Sequence, residues 1–449
     1  MRNIFALIPF ALLSIADSAS ALSLSQALAQ VYSDSPALEA ARADLRALDE
    51  NAPMARAGRR PQLAFSSSTQ VSLRSSSGAP EGMHVSRSGF HVEQPLYTGG
   101  RVDAAVEEAE LAVFEAQARL ETLEQQVLFA GIEAYAAVLS AERQLSLAMA
   151  NRVRSERILD NTRDRYRLGG TTGTEVALAE SHLLNAEAQA EAIRAELIAA
   201  RAMMEAVVGM PADALEPVTE PDALPVSIDE MRDLLRDHPE MRAAVLAVEL
   251  ADATVDVADR ADAASMSLNG EAFYIDQPAE NVSMEPDVRV GFAFDMPLYR
   301  GGGDQARSRQ ARQARSARGH DLRAVERRLD AELVAAHAAH EGARLRLGSL
   351  EARRRAARMA IDGLRQEALL GVASMTDVLD AEETLFETEI ELERLQQQRL
   401  VAAWRVLAAS GQLNAERLGL DVVAYAPDHH FEQARSRWFG RKIDDDAIR

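Results

Sequence analysis

An internal repeat of about two hundred residues constrains the fold of this chain more than any other feature. The hexapeptide Pro-Leu-Tyr-Thr-Gly-Gly at 95–100 recurs as Pro-Leu-Tyr-Arg-Gly-Gly at 297–302. A Leu-Gly pair at 168–169 recurs at 370–371, at the same spacing of 202 residues. Because several landmarks keep one order and one spacing, the chain is predicted to contain two tandem copies of one structural unit.

The repeat predicts where the parts of the chain begin and end. The first copy spans 22–210 and the second spans 227–412. Between them, residues 211–226 form a proline-rich linker, which cannot be one continuous helix. Residues 413–449 form a C-terminal tail.

Alternating residues predict two strands in each copy. These strands are expected at about 61–76 and 84–97, and at about 264–277 and 286–299. The last of them alternates most strictly, with apolar residues on one face at Val288, Val290, Phe292, Phe294, Met296 and Leu298. This pattern is typical of half-buried strands in a soluble sheet and also of strands in a membrane barrel, and by itself it leaves both open.

Each copy continues into a long helix. The segments at about 101–164 and 304–366 keep apolar or alanine residues at three-four spacing, which is the pattern of a coiled-coil seam. At about 1.5 Å per residue, each helix would be near 100 Å long. A last helix of about 35 residues follows in each copy, with Thr174 and Thr376 as predicted N-caps. Another predicted helical segment of similar length precedes each pair of strands, at 25–58 and 228–260.

The first 21 residues are typical of a secretory signal peptide. They have Arg2 near the start, an apolar stretch, and Ala-Ser-Ala at 19–21 as a cleavage site. Beyond them, no run approaches the roughly 18 to 20 apolar residues that a membrane-crossing helix requires. If the mature chain spans a bilayer, we therefore expect it to do so with strands closed into a barrel.

Composition and motifs exclude several classes of function. The chain has no cysteine, which excludes disulfides, thiolate metal sites and a lipidated cysteine. Its net charge of −21 argues against a nucleic-acid surface. No nucleotide-binding or nucleophile motif is present, so neither an enzyme nor a cofactor is predicted. His337, His340 and Glu341 share a helix face, but without a third histidine a solvated surface is the better interpretation than a metal site.

Together, the signal peptide, the duplicated unit, the Pro-Leu-Tyr-x-Gly-Gly landmark and Thr-Asp-Val-Leu-Asp-Ala at 376–381 resemble the TolC family of outer-membrane efflux and secretion channels. The resemblance implies a mixed α and β fold in a homotrimer. Each chain would give four strands to one twelve-stranded transmembrane β-barrel, continuous with a long periplasmic α-helical barrel. It also implies outer-membrane localisation, with most of the chain in the periplasm. The linker at 211–226 would lie in an equatorial region of the assembly, and the tail at 413–449 would lie there or be disordered.

The same resemblance implies a function and partners. The chain would export small compounds, carry out type I protein secretion, or both. Its tip would be opened by a periplasmic adaptor protein and an inner-membrane ABC or RND transporter. The alternative is that the chain is itself a periplasmic coiled-coil adaptor, but adaptors usually have one hairpin and a membrane anchor, whereas this repeat predicts two hairpins. The substrate and the inner-membrane pump are not determined by the sequence.

An acidic ring is predicted at the channel entrance. Asp377 and Asp380 are three residues apart and therefore share a helix face. In a trimer they would form two rings of three carboxylates, which would favour cations. Spacing alone also allows the simpler role of complementing the positive end of a helix dipole.

The entrance also departs from the family pattern. The arginine and tyrosine that hold the closed entrance in the best-known member align with Ala373 and Ala368. A different set of contacts is therefore expected, with Arg167 or Arg365 pairing with Glu175. The candidate gating residues are Glu175, Arg167, Tyr166 and Arg365.

The two glycine turns are the predicted adaptor-docking surface. Leu168-Gly169 and Leu370-Gly371 correspond to the family surface that receives an adaptor hairpin. Glycine would also end a helix at these positions without any docking role.

Overall fold

The computed structural model describes residues 21–72, 83–211, 214–221, 224, 227–277 and 282–440. The predicted signal peptide therefore lies, except for Ala21, outside the described residues. The strands are β1 (Gln62–Ser72), β2 (Met83–Tyr97), β3 (Ser265–Gln277) and β4 (Val282–Asp295). The helices are α1 (Leu24–Asp34), α2 (Pro36–Asp49), α3 (Asn51–Ala57), α4 (Arg101–Arg167), α5 (Gly173–Val208), α6 (Ile228–Leu234), α7 (Pro239–Asp259), α8 (Gly303–Leu369), α9 (Met375–Ala409) and α10 (Pro427–Ser436). Within these ranges, no helix is both long enough and apolar enough to cross a membrane.

The four strands form one antiparallel sheet in the order β1-β2-β3-β4. The two halves of the chain meet where β2 pairs with β3, for example at Phe90 and Ala272. Directly opposed residues share a face, so the register sorts the side chains. One face is largely apolar, with Leu63, Phe65, Phe90, Val92, Leu268, Val288, Val290, Phe292 and Phe294. The other is mostly polar, with Gln62, Arg87, His91, Glu93, Asn269, Glu271, Asp287 and Arg289.

The fourth strand begins and ends earlier than the predicted 286–299, since β4 spans Val282–Asp295. β4 ends at Asp295, although the apolar alternation continues to Leu298. Asp295 pairs with Ser265, the first residue of β3, and Pro297 cannot donate a ladder hydrogen bond, so the pairing stops there. The predicted continuation of the first strand to residue 76 lies outside the described residues.

The long helices α4 and α8 each have 67 residues, so each is about 100 Å long. Each starts at a glycine N-cap in the left-handed region, Gly100 with φ 75° and Gly302 with φ 81°. A side chain would be strained there, which explains the Gly-Gly pair at the end of both landmarks. α5 packs against α4, α9 packs against α8, and α4 also packs against α9. In the half nearest the turns, the hairpins therefore lie side by side with α5 and α8 at the two edges, and α5 also contacts α9. Nearer the sheet, α7 packs against both α4 and α8.

The helical segments before the strands are broken, not continuous. α1 and α2 are separated at Ser35, and α7 begins after an extended His238 with ψ 129°. A proline follows each of these residues, and proline pushes the preceding residue out of the helical region. The prediction of single helices at 25–58 and 228–260 is therefore wrong. The prolines that break these segments, Pro36 and Pro239, are visible in the sequence.

Tyr135 of α4 ties the start of the chain to the linker. Its hydroxyl oxygen lies 2.6 Å from the carbonyl oxygen of Leu22 and 2.8 Å from that of Glu216. Burial raises the pKa of Tyr135 to about 12, so the hydroxyl stays protonated and can donate. Leu22 and Leu215 form a short parallel bridge beside it.

The C-terminal tail is folded as far as residue 440. Phe431 of α10 is buried among Leu45, Ala52 and Val113. Beside it, His430 Nδ1 lies 2.6 Å from Asp49 Oδ2, and burial raises the pKa of Asp49. These residues of the tail therefore pack against α2, α3 and α4, whereas 441–449 lie outside the described part of the chain.

Candidate functional site

Two short turns lie at the end of the hairpins farthest from the sheet. The first joins α4 to α5 and the second joins α8 to α9. Gly169 and Gly371 have φ of 74° and 76°, a region in which only glycine is unstrained. The leucines beside them are among the most exposed apolar side chains, Leu168 at 87% and Leu370 at 79%. The structure thus places two exposed apolar tips at this end of the protomer.

The N-caps of α5 and α9 are Thr172 and Ser374, two residues before the predicted Thr174 and Thr376. Ser374 Oγ accepts from the Asp377 backbone N–H at 3.2 Å. The Asp377 carboxylate accepts in return from the Ser374 backbone N–H at 2.9 Å, which completes a capping box. The prediction of Thr376 as cap is wrong because the cap lies three residues before the acidic residue, not immediately before it.

Asp377 and Asp380 make different contacts. The hydrogen bonds from Ser374 to the Asp377 carboxylate hold the pKa of Asp377 below its usual range. These bonds use one carboxylate oxygen, Oδ2, and the Asp377 side chain lies back over the turn. Asp380, one helical turn later, lies 3.7 Å from His182 Nε2 of α5 and is exposed. The contacts of Asp377 are therefore compatible both with complementing the helix dipole and with membership of a ring of carboxylates. Asp380 instead faces the neighbouring hairpin.

The candidate gating residues have other partners within one protomer. Arg167 Nη1 lies 3.0 Å from Asp164 of the same helix. The Glu175 carboxylate contacts the Thr171 hydroxyl. Tyr166 is half-exposed, and its ring covers Gly173, where an added Cβ would lie 3.9 Å away. In the described part of a single chain neither arginine reaches Glu175, so that contact stays a prediction.

Arg365 contacts Glu382, a residue that the sequence analysis missed. Glu382 of α9 is only 4% exposed. Its carboxylate forms an ion pair with Arg365 of α8 and lies 3.2 Å from Arg154 Nε of α4. Glu382 thus joins the two hairpins near the tip. The signal that was available is its position on the seam of α9, where Val378 and Leu385 lead one to expect an apolar residue.

A second polar link joins α5 to α9 at the same level. Asn185 Nδ2 donates to Glu383 Oε1 at 3.1 Å, and His182 Nδ1 lies 3.5 Å from the other oxygen of Glu383. His182 therefore lies between the carboxylates of Asp380 and Glu383. These polar contacts lie beside an apolar cluster of Leu159, Ala179 and Leu379, which also joins the two hairpins near the tip.

His340, one of the histidines considered for metal binding, has two carboxylate neighbours. His340 lies 3.8 Å from Glu220 and 3.9 Å from Glu341. Over the residues that the structure describes, no group of three histidine, aspartate or glutamate side chains could hold a metal ion.

Comparison with known proteins agrees with this architecture. Residues 24–210 and 231–412 match the family described as outer membrane efflux protein. The outer membrane efflux protein BepC of Brucella suis is 28% identical over 94% of this chain and 92% of its own length. The alkaline protease secretion protein AprF of Pseudomonas aeruginosa is 26% identical over 67% of this chain and 65% of its own.

The fold is also that of a solved channel. The CmeC outer membrane channel of Campylobacter jejuni superposes with a TM-score of 0.79, at 12% identity, over 92% of this chain and 89% of that one. The family match covers both copies of the repeat. Each copy contains two strands and one hairpin with an exposed turn. The chain belongs to the outer membrane efflux protein family.

Proposed function

We propose that this protein is a passive outer-membrane channel that carries small compounds, secreted proteins or both from the periplasm to the outside. The observation that carries the proposal is one sheet with an apolar face and a charged face, joined directly to hairpins about 100 Å long. The apolar face of the sheet is suited to contact with lipid, and the charged face is suited to contact with water. The hairpins are long enough to reach deep into the periplasm.

The apolar face of the sheet is exposed in the single chain. Val290 and Phe292 are each 74% exposed, which is not the environment of a half-buried strand in a soluble sheet. The hydroxyls on this face satisfy one another, as in the pair Ser67 and Ser88 at 2.7 Å. Lipid is the solvent that such a face favours.

The strand edges support assembly of several copies. β1 and β4 are the edge strands, and their outer backbone groups would be unpaired in lipid, at a cost of several kcal/mol for each group. Pairing β4 of one copy with β1 of the next removes these edges. Three copies would supply the twelve strands that the resemblance to the family implies, and continue as a helical barrel of twelve rods.

The edge helices α5 and α8 each carry an exposed coiled-coil seam. Residues at strict four-three spacing lie on the outer face of each helix. On α5 they are Ala177, Ser181, Leu184, Ala188, Glu191, Ala195, Ile198 and Ala202. On α8 they are Ala338, Glu341, Leu345, Gly348, Ala352, Arg355 and Met359. Small residues on both seams allow close approach of a neighbouring helix, which a second copy of the chain would provide.

The large residues of the two seams match in height above the tip. α4 and α8 are equally long, so both turns lie at one level. Leu184 lies 11 residues after the start of α5 and Met359 lies 10 before the end of α8. Ile198 and Leu345 lie 25 and 24 residues from the same ends. Between the large pairs lie alanine and glycine residues, with Glu191 on α5 and Arg355 on α8. The two large pairs define one antiparallel register between neighbouring copies.

Paired cysteines test this register, because the native chain has none. Leu184→Cys with Met359→Cys should give covalent trimers on oxidation, since the two sites come within disulfide reach only between chains. The matched control is Leu184→Cys with Leu345→Cys, whose sites differ in height by about 20 Å. The measurement is a non-reducing gel of protein from outer membranes. Equal cross-linking of both pairs, or of neither, contradicts the register.

At the entrance, Asp377 and Asp380 are proposed to form the acidic rings that favour cations. In Asp380→Asn, selectivity should persist as the pH falls below 3.8, the ordinary value for aspartate, because the pKa of Asp377 is lowered and its charge is retained. Adding Ser374→Ala removes the side-chain hydrogen bond and should move the loss of selectivity to higher pH. Reversal potentials across a salt gradient in planar bilayers measure both effects. Unchanged cation selectivity in Asp377→Ala with Asp380→Ala shows that the rings are wrongly assigned.

The exposed turns at Leu168 and Leu370 are proposed to receive a periplasmic adaptor that links the tip to an inner-membrane ABC or RND transporter. Their apolar side chains and the left-handed glycines beside them form a rigid, exposed contact surface. The proposed function as a whole is tested by fractionation and conductance. We expect an SDS-resistant trimer in detergent-extracted outer membranes, which forms channels in bilayers, and release by osmotic shock contradicts it.

A further inference from the structure

The C-terminal tail runs along α4 toward the sheet. Gln117 Nε2 donates to the Asp428 carboxylate at 3.2 Å, and the rings of Phe114 and Phe431 lie 5.7 Å apart. Farther along, Arg435 Nε lies 3.4 Å from the Glu110 carboxylate. From Asp428 to Arg435, the residue numbers in the tail rise while those of their partners on α4 fall toward 101, where the helix leaves the sheet. The described part of the tail therefore reaches the junction of helices and strands.

Arg60 contacts the last described residues of the tail at this junction. Its Nη1 donates to the Arg437 carbonyl oxygen at 3.0 Å, and its guanidinium lies 4.5 Å from the centre of the Trp438 ring. Arg60 is two residues before β1, so the height of Trp438 relative to the sheet is defined. Trp438 and Phe439 are 60% and 89% exposed and lie side by side, with ring centres 6.5 Å apart.

Other exposed side chains lie at the same level. Tyr97 ends β2, and Leu298 and Tyr299 follow β4, all more than half exposed. Arg300 is also at this level, between the strands and the helices. Tryptophan and tyrosine beside arginine, at one end of an apolar sheet face, are the residues that favour the headgroup layer of a bilayer.

We propose that Trp438 and Phe439 insert into the headgroup region of the periplasmic leaflet, so that the C-terminal tail is a second membrane contact of each protomer. The inference rests on the proposed outer-membrane channel, because the height of the leaflet follows from the sheet. Arg60 positions Trp438 and lies where a lipid phosphate would be attracted. The partner is therefore a phospholipid surface.

Fluorescence tests this directly, because the chain has only two tryptophans and Trp404 is buried. Trp404→Phe leaves Trp438 as the single reporter. The full-length protein is reconstituted in phosphatidylcholine vesicles whose lipids carry bromine either near the headgroup or deep in the chain. We expect bromine near the headgroup to quench Trp438 at least twofold and deep bromine to quench it less. Arg60→Ala in the same background should weaken the shallow quenching, since it frees the tail.

A second reporter separates the tail from the channel itself. Trp404→Phe, Trp438→Phe and Val290→Trp together place the only tryptophan in the middle of the apolar sheet face. If this residue is quenched by deep bromine but Trp438 is not quenched by either lipid and stays accessible to acrylamide, the tail inference is overturned and the channel stands. Shielding of Trp438 from acrylamide without quenching by lipid assigns the pair to a protein contact and also overturns it. If neither reporter is quenched, the proposed membrane channel itself fails.

Discussion

Val290→Arg should prevent stable assembly in the outer membrane. Val290 lies at the middle of β4 on the apolar face, where it is 74% exposed in the single chain. An arginine on the lipid face near the bilayer centre costs about 2–4 kcal/mol in each chain, and a trimer would carry this cost three times. Immunoblots of fractionated membranes should show loss of SDS-resistant trimer and of export, with the protein degraded or left in the periplasm.

Gly291→Arg is the matched control for this substitution. It introduces the same charge at the same depth, but on the polar face of the sheet, beside Asn269. A Cβ added at Gly291 would meet no atom within 4 Å, so the strand has room for the side chain. We expect normal trimer amounts and at most a change in conductance. Equal loss of both variants would mean that the two faces are not lipid and lumen, and would contradict the membrane orientation proposed for the sheet.

Glu382→Gln should make the entrance open more readily. The substitution keeps the shape of a nearly buried side chain but removes the charge that Arg154 on α4 and Arg365 on α8 share. The contact with Arg154 is the one that crosses between the hairpins, and it is an ion pair of a partly exposed arginine, worth about 1 kcal/mol or roughly a fivefold shift of an equilibrium in each protomer. Because Glu382 joins the hairpins beside the apolar cluster of Leu159, Ala179 and Leu379, its loss weakens their closed arrangement. Higher single-channel conductance and greater sensitivity of cells to large antibiotics are the expected readouts.

Glu387→Gln is the matched control for Glu382→Gln. Glu387 lies on the same helix, one and a half turns further on, and is exposed. Its neutralisation changes the net charge of the chain by the same amount and should leave conductance unchanged. If both variants conduct alike, net charge is responsible and not the link between the hairpins. Thermal melting of both trimers then distinguishes gating from general loss of stability, since a gating effect should leave the main transition in place.

Periodicity predicts the long helices because it is a local property. The seam that starts at Val106 repeats at three-four spacing without a gap, and a helix is the only structure in which those residues share a face. The same reasoning applies to Val288, Val290 and Phe292, whose alternation places them on one face of β4. In both cases, the relevant neighbours are a few residues apart in the chain. Position in the repeat then located the turns at Gly169 and Gly371.

Other features depend on residues that are distant in the chain. Glu382 occurs among other acidic residues on α9, and only the packing of α4 and α8 around it makes it a shared partner of Arg154 and Arg365. The prediction of Thr376 as the N-cap of α9 is wrong for a local reason. Ser374 and Thr376 are both good capping residues, and the backbone geometry that completes the reciprocal bonds with Asp377 selects Ser374.

By itself, the sequence determined that this chain is duplicated, that each copy has two strands and a long hairpin, and that it belongs among outer-membrane export proteins. The duplication, the strands and the hairpins rest on spacing and periodicity, which are local properties of the chain, whereas the assignment to outer-membrane export proteins rests on the resemblance to a known family. Only the tertiary structure decided that the tail packs at Phe431 and reaches Arg60, and that Glu382 joins two hairpins. These contacts form between segments up to several hundred residues apart, so their energy depends on burial and distance in the folded molecule and not on any local pattern.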